Sequence, residues 1–324
     1  MKATLKAVFL SLTLSGNLFA SDSSLRMKEA MEQLSSCGNF IRYDNNSIYT
    51  GFGNYWTGSE AIRLPKPSLV RFVSLQSLTE YQVETLDSAV DLLTYNQSTY
   101  ILTYSGLEEW DLGSYQRVGL YKTNIQGTPA LKDQHSTSFA RYKDTLIITN
   151  GISGVTFFDL KTKKITRGYG LIQSQYPLQS NAMGVTVSGK YAYVVLDSYT
   201  LVGPHDKRPF SGIVVIDMET QNVIRELGGM DPGVDSVSSD EKSLLVSFYG
   251  QPIWKYSLKA LESNKLPAPT KRVWRFPTEG NPTGKAAIDE ANYYTCFSRL
   301  PNPGEGPYKI KMSTTLNRKA LMLD

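Results

Sequence analysis

Short runs of β-branched and aromatic residues alternate with polar turns along most of this chain, and the alternation is periodic. The clearest pair is "GVTFFDLKTKKITRG" at 154–168 and "GIVVIDMETQNVIRE" at 212–226. In each, an apolar run stops at an Asp, turns, and becomes apolar again, which predicts two antiparallel strands. A second two-strand pattern occurs as "NFIRYDNNSIYTGFG", "AVDLLTYNQSTYILTYSG", "SFARYKDTLIITNG", "MGVTVSGKYAYVVLDS", "DSVSSDEKSLLVSFYG" and "GKAAIDEANYYTCFS". The residues closing its turns are Asn46, Ser98, Asp144, Lys190, Lys242 and Asn292, at spacings of 52, 46, 46, 52 and 50. Near-constant spacing over six copies marks a structural repeat.

Each copy is followed by a third strand, "EAIRLPK", "GLEEWDL", "GVTFFDL", "GIVVIDM", "PIWKYSL" and "PYKIKMS". A fourth follows after a turn, "LVRFVSL", "QRVGLYK", "KITRGYG", "NVIRELG", "KRVWRFP" and "KALMLD". Four antiparallel strands per unit predict the blade of a β-propeller, because such a sheet cannot cover both its faces alone whereas a ring of sheets can. The expected fold is therefore all-β, a six-bladed propeller over residues 37–324. A seven-bladed ring is the alternative, and would need a seventh repeat. The third-strand motifs at Gly154–Leu160 and Gly212–Met218, and more weakly at 106–112, resemble the LVIVD and YVTN-type repeats of exported bacterial propellers. That resemblance implies a ring-shaped scaffold in the cell envelope or outside the cell, and no particular activity.

The amino terminus departs from the repeat. Lys2 and Lys6, the apolar "AVFLSLTLSGNLF" and Ala20 before "SDSS" read as a cleaved signal peptide over residues 1–20. Its apolar core is too short to span a membrane, and no later segment resembles a span. In residues 21–36, Met27, Ala30, Met31 and Leu34 recur at helical spacing, predicting a short amphipathic helix. It reads either as a cap packed on the propeller or as a partner-binding helix. Export, to the periplasm or the extracellular space, makes a disulfide between Cys37 and Cys296 permissible. Cys37 opens the inner strand of the first unit and Cys296 lies in the neighbouring sixth; two buried thiols are the other reading.

Charge changes the picture little. Removing Lys2 and Lys6 takes the formal net charge from +4 to +2, too small and too spread to point to nucleic acid. Two His, and no clustered Cys–His motif, argue against zinc or copper. "GNPTGKAA" at 280–287 lacks both the spacing and the hydroxyl of a phosphate loop, and "NGISGV" at 150–155 lacks the spacing of a nucleophile elbow.

Recognition in such a ring is expected at one mouth, from the loops that precede inner strands or join second to third strands. Before inner strands lie Asp87, His135, Asn181, Asp231 and Asn281; the other loops carry Tyr55, Trp56, Tyr249 and Arg299. Tyr55 and Trp56 suit either stacking on a sugar or packing between blades. Asp87 and Asp231 suit either calcium or turn formation, and His135 either a general base or a turn. The insertion "SYTLVGPHDKRPFS" at 198–211 brings Tyr199, His205, Lys207 and Arg208, which suit an acidic or aromatic partner. Two functions are compatible: a non-catalytic binding or scaffold propeller without cofactor, recognising a protein, peptide or glycan, or a calcium-dependent hydrolase or lactonase. The sequence does not set the oligomeric state.

Overall fold

A computed structural model describes residues 40–43, 47–52, 68–74, 76–104, 106–123, 137–151, 153–171, 181–197, 211–230, 234–248, 253–273, 281–288, 292–298 and 310–317. The expected signal peptide, the helix at 21–36 and the insertion at 198–211, apart from Ser211, lie outside these residues. Among the described residues the chain is all-β, with one short 3-10 turn at Ala260–Glu262, and its sheets take a propeller-like arrangement.

Among the described residues, six antiparallel sheets follow one another in sequence. The first holds β1 (Phe40–Tyr43), β2 (Ser47–Phe52), β3 (Leu69–Ser74) and β4 (Glu80–Glu84). The second holds β5 (Ala89–Tyr95), β6 (Ser98–Thr103), β7 (Leu107–Asp111) and β8 (Arg117–Tyr121). The third holds β9 (Ser138–Tyr142), β10 (Thr145–Thr149), β11 (Val155–Asp159) and β12 (Lys164–Tyr169). The fourth holds β13 (Asn181–Ser188), β14 (Tyr191–Asp197), β15 (Gly212–Asp217) and β16 (Asn222–Gly228). The fifth holds β17 (Val234–Ser239), β18 (Ser243–Phe248), β19 (Ile253–Ser257) and β20 (Lys271–Val273). The sixth holds β21 (Asn281–Ile288), β22 (Asn292–Ser298) and β23 (Ile310–Asn317). Residues 319–324, its expected fourth strand, lie outside the described residues.

One unit is threaded differently from its sequence pattern. In the first sheet "LVRFVS" is the third strand and Glu80–Glu84 the fourth, displacing "EAIRLPK" from the ladder. Pro65 in that segment cannot donate to a ladder, and Pro67 restricts the residue before it. By contrast, Leu69–Ser74 buries Val70, Phe72 and Val73, and its backbone is free to pair on both sides.

Neighbouring sheets meet through residues that alternate along each strand. Val155 and Phe157 face the fourth sheet, whereas Phe158 and Leu160 face the second. Likewise Val214 and Ile216 pack toward the third sheet, and Ile213 and Val215 toward the fifth. The first strands β1, β5, β9, β13, β17 and β21 lie side by side in that order, and β21 lies beside β1. Fully buried Phe139, Phe157 and Phe158 each contribute on the order of 2–3 kcal/mol by leaving water.

The first strands are also joined by hydrogen bonds. The buried Asp91 carboxylate on β5 accepts from the Phe139 amide at 3.0 Å and the Ser138 hydroxyl at 3.1 Å, both on β9. The Ser138 oxygen in turn accepts from the Val185 amide of β13 at 3.4 Å. Gly184 holds the matching place in the next sheet, where a side chain would meet the Val237 nitrogen at 3.2 Å.

The third-strand motif has a physical basis at both its ends. Its opening glycines, Gly106, Gly154 and Gly212, lie where a Cβ would stand 2.6, 2.3 and 2.2 Å from a carbonyl oxygen of the outer strand. Its Asp side chain closes the turn: Asp217 Oδ1 accepts from the Glu219 and Thr220 amides at 2.9 and 3.1 Å. Asp159 does the same for Lys161 and Thr162, and Asp111 for Ser114. The residue after the Asp donates its amide to the inner turn of its own sheet, as Leu160 does to Asp144 and Met218 to Lys190.

Gly212→Ala is therefore expected to lower stability by about 3 kcal/mol or more, because the clash is with backbone. Gly189→Ala, at φ 57° with open space around it, is expected to cost about 1 kcal/mol. Urea titration of both variants checks the order, and equal losses would contradict the close approach.

Candidate functional site

The two ends of the ring differ in what joins the strands. At one end the first-to-second and third-to-fourth connections are tight turns in the second, third and fourth sheets. There Asn96, Lys143, Tyr115, Lys163 and Gln221 take left-handed backbone conformations at φ 53–58°. At the other end the first and third strands begin, and segments 53–67, 124–136, 172–180, 198–210 and 299–309 connect from there.

Of the residues expected to bind, the three that are described lie at this second end. Asn181 and Asn281 are the first residues of β13 and β21, and Asp87 lies two residues before β5. Asp87 is buried, at 7% exposure, and its Oδ1 accepts from the Ser88 amide at 2.7 Å. Thr85 donates its hydroxyl to the Asp87 carbonyl at 2.6 Å, so the segment leading into β5 is fixed by local hydrogen bonds. Tyr55, Trp56, His135, Tyr199, His205, Lys207, Arg208, Asp231, Tyr249 and Arg299 lie outside the described residues. So does Cys37; Cys296 is placed on β22, opposite Thr283 and Met312.

The polar groups that the described sheets bring together lie elsewhere, and the sequence did not single them out. Glu108 and Glu109 are neighbours on β7, and their side chains leave opposite faces of the second sheet. Glu109 points to the third sheet. Its Oε1 accepts from Tyr100 at 2.7 Å, Ser98 at 3.0 Å and the Lys163 ammonium at 2.7 Å. Its Oε2 accepts from Tyr121 at 2.7 Å. Burial pushes the Glu109 carboxyl upward, but Lys163, Tyr100, Tyr121 and Ser98 together hold it below the usual range. Burial, followed by the nearby carboxylate, raises Tyr121 to about 12 and Tyr100 further still, so neither phenol is activated as a nucleophile or base. This cluster acts as a lock between two sheets: a left-handed turn residue, Lys163, reaches back to the preceding sheet.

Glu108 points to the first sheet, and its side chain is fully buried. Oε1 accepts from the Leu86 amide at 2.8 Å; Oε2 accepts from the Trp110 indole at 3.0 Å and from Arg117 at 3.4 Å. Burial raises its pKa, against the opposing pull of the Leu86 amide, Arg117 and Trp110. The Arg117 guanidinium also lies 5.7 Å from the centre of the Trp110 ring. Below them Tyr81 stacks on Tyr115 at 4.6 Å, and Phe72 meets Tyr115 edge-on at 6.3 Å. A pair of residues that reads in sequence as a solvated acidic patch thus fills two different interfaces. The one available signal was position, since "GLEEWDL" occupies a strand that is apolar in the next two units.

The two carboxyls give opposite pH behaviour. Glu109, lowered in the folded state, adds stability above the ordinary Glu pKa of about 4.5 that is lost as pH falls through its folded value. Glu108, raised, adds stability below that ordinary value that is lost as pH rises through its folded value. From pH 7 to pH 4, the advantage of the wild-type chain over Glu109→Gln is expected to shrink from about 2 kcal/mol. Its advantage over Glu108→Gln is expected to grow over the same range. Urea titrations at several pH values check this, and parallel trends in both variants would contradict the assignment.

No protein-family model matches the chain, and no curated protein sequence matches it. Among solved structures, a chain from the crystal structure of a mitotic checkpoint complex is similar at a TM-score of 0.53 and 12% identity. That similarity covers 79% of this chain and 70% of the other. The computationally designed Ika4 protein is similar over 52% of this chain and 91% of its own, at a TM-score of 0.39 and 11% identity. At such identities the first likeness is one of fold alone, and the second carries no further weight.

Proposed function

We propose that this chain is a six-bladed, exported, non-catalytic binding or scaffold propeller of the cell envelope or secretome. Its partner is a protein, peptide or glycan, held by the loops at the end where the inner strands begin. The observation that supports this most is the asymmetry of the ring. In the second, third and fourth sheets one end is closed by tight turns such as those at Asp159 and Asp217, while Asp87, Asn181, Asn281 and most of the longer connections belong to the other; the 258–270 connection of the fifth sheet is the exception. Recognition by loops on a rigid scaffold follows from that division. The six sheets, each beginning beside the next, support the blade number. Lys2, Lys6 and the apolar run before Ala20 support export, and the Gly-to-Asp motif supports kinship with LVIVD and YVTN-type propellers.

A thermal-shift panel of oligosaccharides and peptides tests the reading, first with EDTA and then with calcium. The expected result is a compound that raises the Tm of the wild-type chain with or without calcium, but not that of Tyr199→Ala/Lys207→Ala/Arg208→Ala. A rise of several degrees with calcium alone, reversed by EDTA and removed by Asp87→Asn or Asp231→Asn, would replace this reading with a calcium-dependent hydrolase or lactonase.

A further inference from the structure

We propose that residues 24–36 of this same chain dock as an amphipathic helix in the outer groove between the first two sheets. The groove is marked by where apolar side chains stay exposed. Of the large apolar residues exposed among the described residues, all but Ile224 belong to the first two sheets or to the segment joining them. At its upper part Leu86 is 45% and Leu120 54% exposed. Both adjoin Glu108: Leu86 donates its amide to the carboxylate, and Leu120 is the cross-strand partner of Glu108 on β8. Tyr81, 38% exposed and stacked on Tyr115, forms the lower part, with Arg117 between them, over the buried Trp110. Tyr and Arg beside exposed leucine is the composition of a surface that binds by burial.

The occupant follows from chain continuity and from pattern. β1 begins at Phe40, at the end of the first sheet where Leu86 and the close of β8 also lie. A helix over residues 24–36 is about 20 Å long, and three extended residues add about 10 Å. The three strand spacings from β1 to β4 total roughly 14–15 Å. The segment is therefore long enough to cross the first sheet and lie along its rim. On such a helix Met27, Ala30, Met31 and Leu34 share one face, and Lys28, Glu29 and Glu32 the opposite one. Methionine adapts to an irregular groove of leucine and aromatic rings. The tether makes docking intramolecular, so weak apolar contacts suffice.

Photo-crosslinking in the full chain tests this. Benzoylphenylalanine is placed singly at Leu86, at Leu120 and, as a control, at Ile224, all three exposed positions, and each variant's circular dichroism is checked against the wild-type chain. Peptide mapping is expected to find adducts within residues 24–36 from Leu86 and Leu120, several-fold above those from Ile224. Met27→Asp/Met31→Asp is expected to abolish them without changing the circular dichroism of the sheets. Adducts with another segment, adducts of doubled mass from a second copy, or none in 24–36 would overturn the proposal.

Discussion

A four-stranded sheet with apolar side chains on both faces can bury them only against two other sheets, and every feature of this molecule answers to that constraint. Alternation along a strand sends successive residues to different neighbours, so one strand serves two cores at once. Phe157 and Phe158 are adjacent in the chain and belong to different interfaces. The arrangement is cooperative: a sheet removed from its neighbours exposes both faces, and its marginal stability cannot bear that. The hydrogen bonds from the Phe139 amide to Asp91 and from the Val185 amide to Ser138 lie between neighbouring first strands, and they set the register of one inner strand against the next.

The same alternation explains why two acidic residues can be adjacent without repelling one another. Glu108 and Glu109 are separated by the thickness of the sheet, and each is met by its own donors. Burying a carboxylate is expensive, and an ion pair such as Glu109 with Lys163 offsets that cost without turning it into a large gain. What the pair adds is specificity. A salt bridge at 2.7 Å with three hydroxyl donors accepts one arrangement of the second and third sheets, whereas leucine and phenylalanine tolerate several. The interface between the third and fourth sheets uses a lighter version, in which the Tyr169 hydroxyl meets the Gln221 carbonyl. Equivalent turn positions thus carry different chemistry, which makes the order of sheets unambiguous.

Much of the fold was legible because the repeat is set by turns, and turns depend on local chemistry. Ser98, Asp144, Lys190, Lys242 and Asn292 lie in or beside the inner hairpins that their spacing implied. Asp159 and Asp217 bond the amides that turn residues of their kind should. The first unit was misread where an apolar run, "EAIRLPK", resembled a strand that its proline cannot support. The lock residues were illegible for a different reason. A Glu or Lys at a strand position looks solvent-facing until the neighbouring sheet supplies Tyr100, Tyr121 or Trp110, and those partners come from distant sequence. Of the expected binding residues, Asp87 could be read as a turn former, and its bond to Ser88 has that form.

The division of labour between the two ends has an energetic reason as well as a topological one. At the tight-turn end, Lys163, Tyr115 and Gln221 hold left-handed backbones. Each such conformation costs roughly 1 kcal/mol or more for a residue with a side chain. That cost persists only where contacts recover it: Tyr115 through its stack on Tyr81, Lys163 through Glu109, and Gln221 through Tyr169. An end built from such locks has little freedom left to adapt to a ligand. At the opposite end the described constraints fall on the strand starts themselves, on Gly154, Gly212 and the segment at Asp87. A rigid framework of this kind lowers the ordering cost of any binding that its loops carry out.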